Sequence, residues 1–225
     1  MSVVIRTTEV SDDPRLRDLL DAGELERVQR RPNPHPFITA HALLRRLVAD
    51  ETGVDPRRLE FEKRCATCGT DRHGKPHVTG MRDLHVSVSY GEHMAVAVVT
   101  TMGEVGIDVE DLESADFDGF GSVTLDESEA VHLDGLTGDA LLAARARMWS
   151  RKEAILKATG HGLVVDPSQV VVSSPDAPAA LLEWKAPEHP PGPTQVSDID
   201  VGREDHRAAV AVLTSSPMSI RVQRG

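Results

Sequence analysis

The chain has 225 residues, enough for one large domain or two small ones, and its 40% hydrophobic content excludes a disordered chain. A formal net charge of −11 argues against nucleic-acid binding through bulk positive charge. The start MSVVIRTTEV lacks a basic segment followed by an apolar run, Met94 to Val99 is too short to span a bilayer, and the only cysteines are Cys65 and Cys68, so a soluble cytoplasmic protein is expected.

Leu16, Leu19, Leu20, Leu25 and Val28 recur within Asp13 to Arg30, which predicts a helix broken by the cluster Pro32, Pro34 and Pro36. His41 to Glu51 is the next predicted helix, with Gly53 as its stop. Cys65 to Pro76 reads as loop. Its single C-x-x-C is half of a zinc site at most. Leu84 to Ser89, Ala95 to Thr100 and Val105 to Glu110 read as strands, Asp126 to Leu133 as a short helix, and Leu141 to Thr159 as a long helix ended by Gly160. Val164 to Val172, Leu181 to Trp184, Val196 to Val201, Ala208 to Thr214 and Ile220 to Val222 are strand-like, with a loop from Pro187 to Pro193.

AVAVVT at Ala95 to Thr100 returns as AVAVLT at Ala209 to Thr214, a shift of 114 positions. Two similar halves about a pseudo-twofold axis, with a ligand cleft between them, would produce this repeat. Chance matching of Ala and Val in strands would produce it too. The expected fold is α+β. Each half would be a small antiparallel sheet packed with helices, residues 1–103 and 104–225, with the active site at their interface.

Asp108 and Glu110 lie two apart on a predicted strand, so both carboxylates leave the same face while Ile107 and Val109 leave the other. A hard divalent cation relieves the repulsion between two such groups, although a solvated strand end fits the pattern as well. Glu153 and Lys157 share a helix face four residues apart, which also describes an ordinary surface ion pair. Together the two clusters supply three carboxylates and a lysine, the parts of a metal and phosphate site. No G-x-x-x-x-G-K-[ST] loop or G-x-S-x-G elbow is present.

GIDVE (Gly106 to Glu110) followed by WSRKEAILKATG (Trp149 to Gly160) resembles the two signature motifs of the 4′-phosphopantetheinyl transferases, Sfp type. Cys68-Gly69 and His73-Gly74-Lys75-Pro76 resemble the family's C-G…H-G-K-P segment. The resemblance implies transfer of the 4′-phosphopantetheine arm of coenzyme A to a serine of an apo acyl or peptidyl carrier protein, with release of adenosine 3′,5′-bisphosphate. It implies Mg²⁺, with Mn²⁺ as a substitute, on Asp108, Glu110 and Glu153. Glu153 and Lys157 take the catalytic roles. Lys75, Ser89, Tyr90, Lys152, Lys157, Arg30, Arg31 and Arg45 are the expected coenzyme A contacts. Two positions depart from the family pattern. Ser89-Tyr90-Gly91 stands where the family reads S-H-S, and His41 stands where related sequences have arginine.

The family reading implies a monomer serving polyketide, nonribosomal peptide or siderophore synthesis, with no nucleic acid or membrane partner. Arg145, Arg147, Arg151, Lys152 and Lys157 on the signature helix form a candidate docking face for an acidic carrier. Two rivals remain: a non-catalytic descendant that binds coenzyme A or a carrier, and a Mg²⁺-dependent hydrolase of a nucleotide pyrophosphate.

Overall fold

The computed structural model describes residues 2–64, 69–70 and 74–225, so Cys65, Cys68 and His73 lie outside the described residues. Strand β1 (Val3–Glu9) opens the chain. Val3, Val4 and Ile5 are all buried because neighbouring strands and layers cover both faces, so the sequence carries no clean alternation there.

The helix expected from Asp13 to Arg30 is two pieces. A 3₁₀ segment covers Pro14–Leu19, and α1 (Ala22–Gln29) begins afresh after Asp21. The break is a capping box: the Asp21 carboxylate accepts from the Glu24 backbone N–H at 2.8 Å, and Glu24 accepts from the Asp21 N–H at 2.9 Å. Helix α2 (His35–Thr52) starts earlier than expected because Pro36 sits in its first turn, where no intrahelical N–H is needed. Gly53 closes it in the left-handed conformation, φ 74°.

Next come β2 (Phe61–Arg64), β3 (Lys75–Val78), β4 (His85–Tyr90) and β5 (Met94–Thr100). Lys75 and Pro76, read from sequence as loop, are strand residues paired with Arg64 and Lys63. Strand β6 (Val105–Asp111) leads through two short helices, α3 (Phe120–Thr124) and α4 (Glu127–Ala130), into the long α5 (Gly138–Thr159). The stretch expected as one strand from Val164 to Val172 is broken by a 3₁₀ turn at Pro167–Gln169, which leaves only β7 (Val170–Val172). The chain finishes with β8 (Leu181–Trp184), β9 (Thr194–Ile199), β10 (His206–Leu213) and β11 (Ile220–Arg224).

The strands form a six-stranded sheet, β11-β1-β5-β4-β3-β2, a three-stranded sheet, β6-β10-β9, and the small pair β7-β8. The two larger sheets pack face to face through Val3, Ile5, Val96, Val98, Ile107 and Val210. Helix α2 covers the outer face of the first sheet and α5 that of the second, giving layers in the order helix, sheet, sheet, helix. The expected α+β fold is therefore present.

The repeated segments do equivalent work. In β5, Ala95, Ala97 and Val99 face α2, while Val96 and Val98 face the second sheet. In β10, Ala209, Ala211 and Leu213 face α5, while Val210 and Val212 face the first sheet. Small side chains under each helix let it lie close to its sheet. Strand β11 pairs in parallel with β1, so residues 220–224 complete the sheet built mostly from the N-terminal half.

The closest approach lies under α5. A Cβ added at Gly106 would stand 2.0 Å from the Ala154 carbonyl oxygen and 2.4 Å from the Ala158 nitrogen, both backbone atoms of the helix. Gly106→Ala is expected to cost about 3 kcal/mol or more, because neither backbone atom can swing aside. Urea unfolding followed by circular dichroism checks this, and an unchanged midpoint would contradict it.

Candidate active site

A cleft of about 590 Å³ opens between β3–β4 of the first sheet and the C-terminal end of α5, with the turn at residues 160–164 forming its other wall. His41, Lys63, Lys75, Ser87, Glu153 and Lys157 are among its lining residues. Alternation on β6 sends Asp108 and Glu110 toward α5, and the α5 residues Trp149, Glu153 and Lys157, spaced at four, project along one stripe above them.

Asp108 is buried. Its Oδ1 accepts from Lys157 Nζ at 2.6 Å and from the Ser89 hydroxyl at 2.8 Å, while its Oδ2 is buried without a partner. Ser89 in turn accepts from Lys157 Nζ at 2.8 Å. Glu110 is oriented by the Trp149 indole N–H at 2.9 Å and the Ser114 hydroxyl at 2.6 Å. Glu153 Oε1 is buried with no hydrogen-bond partner.

Burial and the nearby Asp108 charge raise the Glu110 carboxyl to about 7, although Ser114 and Trp149 oppose the rise. The same two causes raise Glu153 to about 7, with Lys157 opposing. Burial works against the Lys157 charge, but Asp108, Glu153 and Glu110 outweigh it and lift its pKa above the ordinary lysine value. The site thus holds more negative charge than one lysine offsets. Orphaned carboxylate oxygens on Asp108 and Glu153, with Glu110 alongside, form a hard oxygen donor set suited to a divalent cation. As the side chains stand, Lys157 occupies Asp108, and no three His, Cys, Asp or Glu among the described residues are gathered as a metal cluster.

The expected coenzyme A contacts divide. Lys75 and Lys157 line the cleft. Lys75 pairs with Glu104 at 2.5 Å and donates to the Ala158 carbonyl at 3.1 Å, so it is held at the C-terminal end of α5. Ser89 belongs to the Asp108–Lys157 cluster. Tyr90 instead sets its ring edge-on to Phe37, 6.2 Å between centroids.

Arg45 and Lys152 are committed inside the protein. Arg45 is fully buried, donating to Asp21 and Glu24 and to the carbonyls of Pro56 and Leu59. Lys152 is fully buried against Glu129 at 2.5 Å and the Pro167 carbonyl at 3.0 Å. Arg30 is exposed and pairs with Glu26, while Arg31 lies over the Phe37 ring, 4.5 Å from its centroid. The docking face expected along α5 is reduced likewise, because Arg151 is buried and bidentate to Asp198.

Lys63 and His161 line the cleft although no sequence signal singled them out. The strand FEKR has no alternation to give it direction, and its position follows from pairing with β3. Burial, then the charges of Arg27 and Arg31, lower the Lys63 pKa. His41 stacks on Phe37 at 4.0 Å, and its Nδ1 lies 2.7 Å from Glu24 Oε1.

Residues 104–211 match the 4′-phosphopantetheinyl transferase superfamily. Over that span, just under half of the chain, the sequence is similar to the superfamily. A 4′-phosphopantetheinyl transferase of Bacillus subtilis is 24% identical over 165 residues, covering 70% of this chain and 68% of that protein. The 4′-phosphopantetheinyl transferase HetI of Nostoc sp. (strain PCC 7120) is 27% identical over 180 residues, covering 75% of this chain and 73% of its own. A solved holo-(acyl-carrier-protein) synthase from Bacillus anthracis str. Ames, in complex with CoA (3',5'-ADP), is 27% identical with a TM-score of 0.43, covering 51% of this chain and 97% of that one.

Behind His41, burial pushes Glu24 upward, but His41, the Asp21 N–H and Arg45 overrule it and hold its carboxyl at about 2. Since the folded value lies below the ordinary 4.5, the stabilisation is complete above pH 4.5 and disappears as pH falls through about 2. Glu24→Gln is expected to cost roughly 1–3 kcal/mol at neutral pH, by weakening the partner of the buried Arg45, and to flatten the acid limb. Unfolding free energies measured from neutral pH down through that limb would check it. A variant as stable as wild type at neutral pH would contradict it.

Proposed function

We propose that this protein transfers the 4′-phosphopantetheine arm of coenzyme A to a serine of an apo acyl or peptidyl carrier protein and releases adenosine 3′,5′-bisphosphate. Similarity to the superfamily over residues 104–211 supports the reaction class, and one observation carries the assignment to this site. The signature residues Asp108, Glu110, Glu153 and Lys157 form a single charge cluster, and its Glu153 and Lys157 line the same cleft as Lys75.

The reaction joins the serine oxygen to one phosphorus of the coenzyme A pyrophosphate and breaks that phosphorus–oxygen bond to the adenosine bisphosphate. Positioning and neutralisation of charge carry most of such chemistry. Lys75 and Lys157 are held to receive the pyrophosphate oxygens. Lys63 and His41 line the same cleft, near Arg27 and Arg31. The buried Glu153 Oε1, which has no hydrogen-bond partner, takes the serine proton. Asp108, Glu110 and Glu153 would hold Mg²⁺, or Mn²⁺ in its place, which supplies positive charge to the pyrophosphate.

Among the described residues no helix is long and apolar enough to cross a membrane. The proposal places the enzyme in the cytoplasm as a monomer, since one chain supplies the whole cluster, and assigns it to carriers of polyketide, nonribosomal peptide or siderophore synthesis.

Intact-protein mass spectrometry of an apo-carrier incubated with enzyme, coenzyme A and Mg²⁺ tests the reading. Wild type is expected to add one phosphopantetheine mass, and Asp108→Ala and Glu153→Gln to slow the addition by about 10²-fold or more. Coenzyme A bound without modification of any carrier would favour the binding-only descendant. Coenzyme A cleaved in the absence of carrier would favour the hydrolase.

A further inference from the structure

Away from the cleft, α5 presents Arg147 beside a groove of about 360 Å³ bounded by β9, β10 and the turn between them. The carboxylates of this groove are already engaged. Asp198 takes Arg151 through both oxygens, at 2.8 and 2.6 Å, and Asp200 takes Arg224 at 2.7 Å, while Arg203 on the same wall is taken by Asp205 of the neighbouring hollow at 2.7 Å. Two guanidinium groups on the groove wall are left over. Arg147 donates to the Pro175 carbonyl at 2.9 Å and comes no nearer than 3.9 Å to Asp198. Arg207 donates through Nη1 to the carbonyls of Glu204 and His206, at 2.8 and 2.7 Å, and its Nε is buried with no partner.

We propose that this groove binds an oxyanion, a phosphate or a dicarboxylate, between Arg147 and Arg207. A buried guanidinium N–H without an acceptor is costly, and two such cations on one wall repel each other. Burial and the Arg147 charge both push the Arg207 pKa below the ordinary arginine value, with Asp198 only partly opposing. An oxyanion with several acceptor oxygens relieves both penalties at once and fits the planar donor fork of arginine. The neighbouring hollow, about 750 Å³ and also bordered by Arg147 and Arg207, leaves room for whatever the oxyanion is attached to. This site shares no lining residue with the cleft. It is nonetheless one strand away from the charge cluster, since Arg207 pairs with Glu110 across β10 and β6. The inference does not depend on the transfer reaction.

Titration of the ¹⁵N-labelled full chain with inorganic phosphate, and separately with malonate, followed at the Arg207 Nε–H resonance, tests it. Saturable movement of that resonance is expected with at least one anion, and the tighter of the two identifies the source. The movement should persist in Lys75→Ala, which weakens anion binding in the cleft, and its midpoint should rise at least about tenfold in Arg147→Gln. Arg147 is part-exposed, and the amide spectrum of that variant reports directly whether it folds. No saturable movement with either anion would overturn the proposal, as would its loss in Lys75→Ala or an unchanged midpoint in Arg147→Gln.

Discussion

The close approach of α5 to β6 at Gly106 governs the rest of the molecule. With no side chain between them, helix backbone and strand backbone stand at a separation that any Cβ would violate. At that separation the carboxylates of Asp108 and Glu110 and the α5 stripe Trp149, Glu153 and Lys157 share one narrow space. A bulkier contact residue would lift the helix and separate the carboxylates from the groups that orient them. The glycine of GIDVE therefore belongs to the site as much as the two acids do, although it touches no substrate.

Crowding is the main electrostatic fact of that space. Three carboxylates face one ammonium, two of the carboxyls are raised to about 7, and oxygens of Asp108 and Glu153 lack partners. A protein holds such an arrangement only against the gains made elsewhere. Here the gains come from the packed valines between the two sheets. Glu129 illustrates the supporting role. It accepts from Lys152, from the Asp126 N–H and from the Val172 N–H, so one carboxylate ties α4, α5 and β7 together beneath the signature helix.

Local periodicity was enough to read most elements that end in a clear signal. The long helix closed by Gly160 and the strand carrying Asp108 and Glu110 are examples, and both bear the candidate chemistry. The repeated AVAV segments also proved to share a physical cause, small residues beneath a helix and larger ones between sheets. Illegible were features set by partners distant in sequence. Arg45, Arg151 and Lys152 look like available cations in the sequence, yet each is consumed by a carboxylate 21 to 47 residues away. Similarly, β1 and β2 owe their existence to neighbouring strands. Tyr90, expected as a coenzyme A contact, also sets its ring edge-on to Phe37, a contact between residues far apart in sequence.

The parallel pairing of β11 with β1 has a mechanical side. Five residue pairs, from Val3 with Ile220 to Thr7 with Arg224, run in register with both strands pointing the same way. A force drawing the start of β1 away from the end of β11 loads those hydrogen bonds in shear, all together, where an antiparallel pair pulled from adjacent ends would unzip one bond at a time. Because β1 also lies beside β5, the same tension is carried into the centre of the six-stranded sheet. The fold resists stretching along this axis by a shared yield, with the first and second halves of the chain bearing the load as one body.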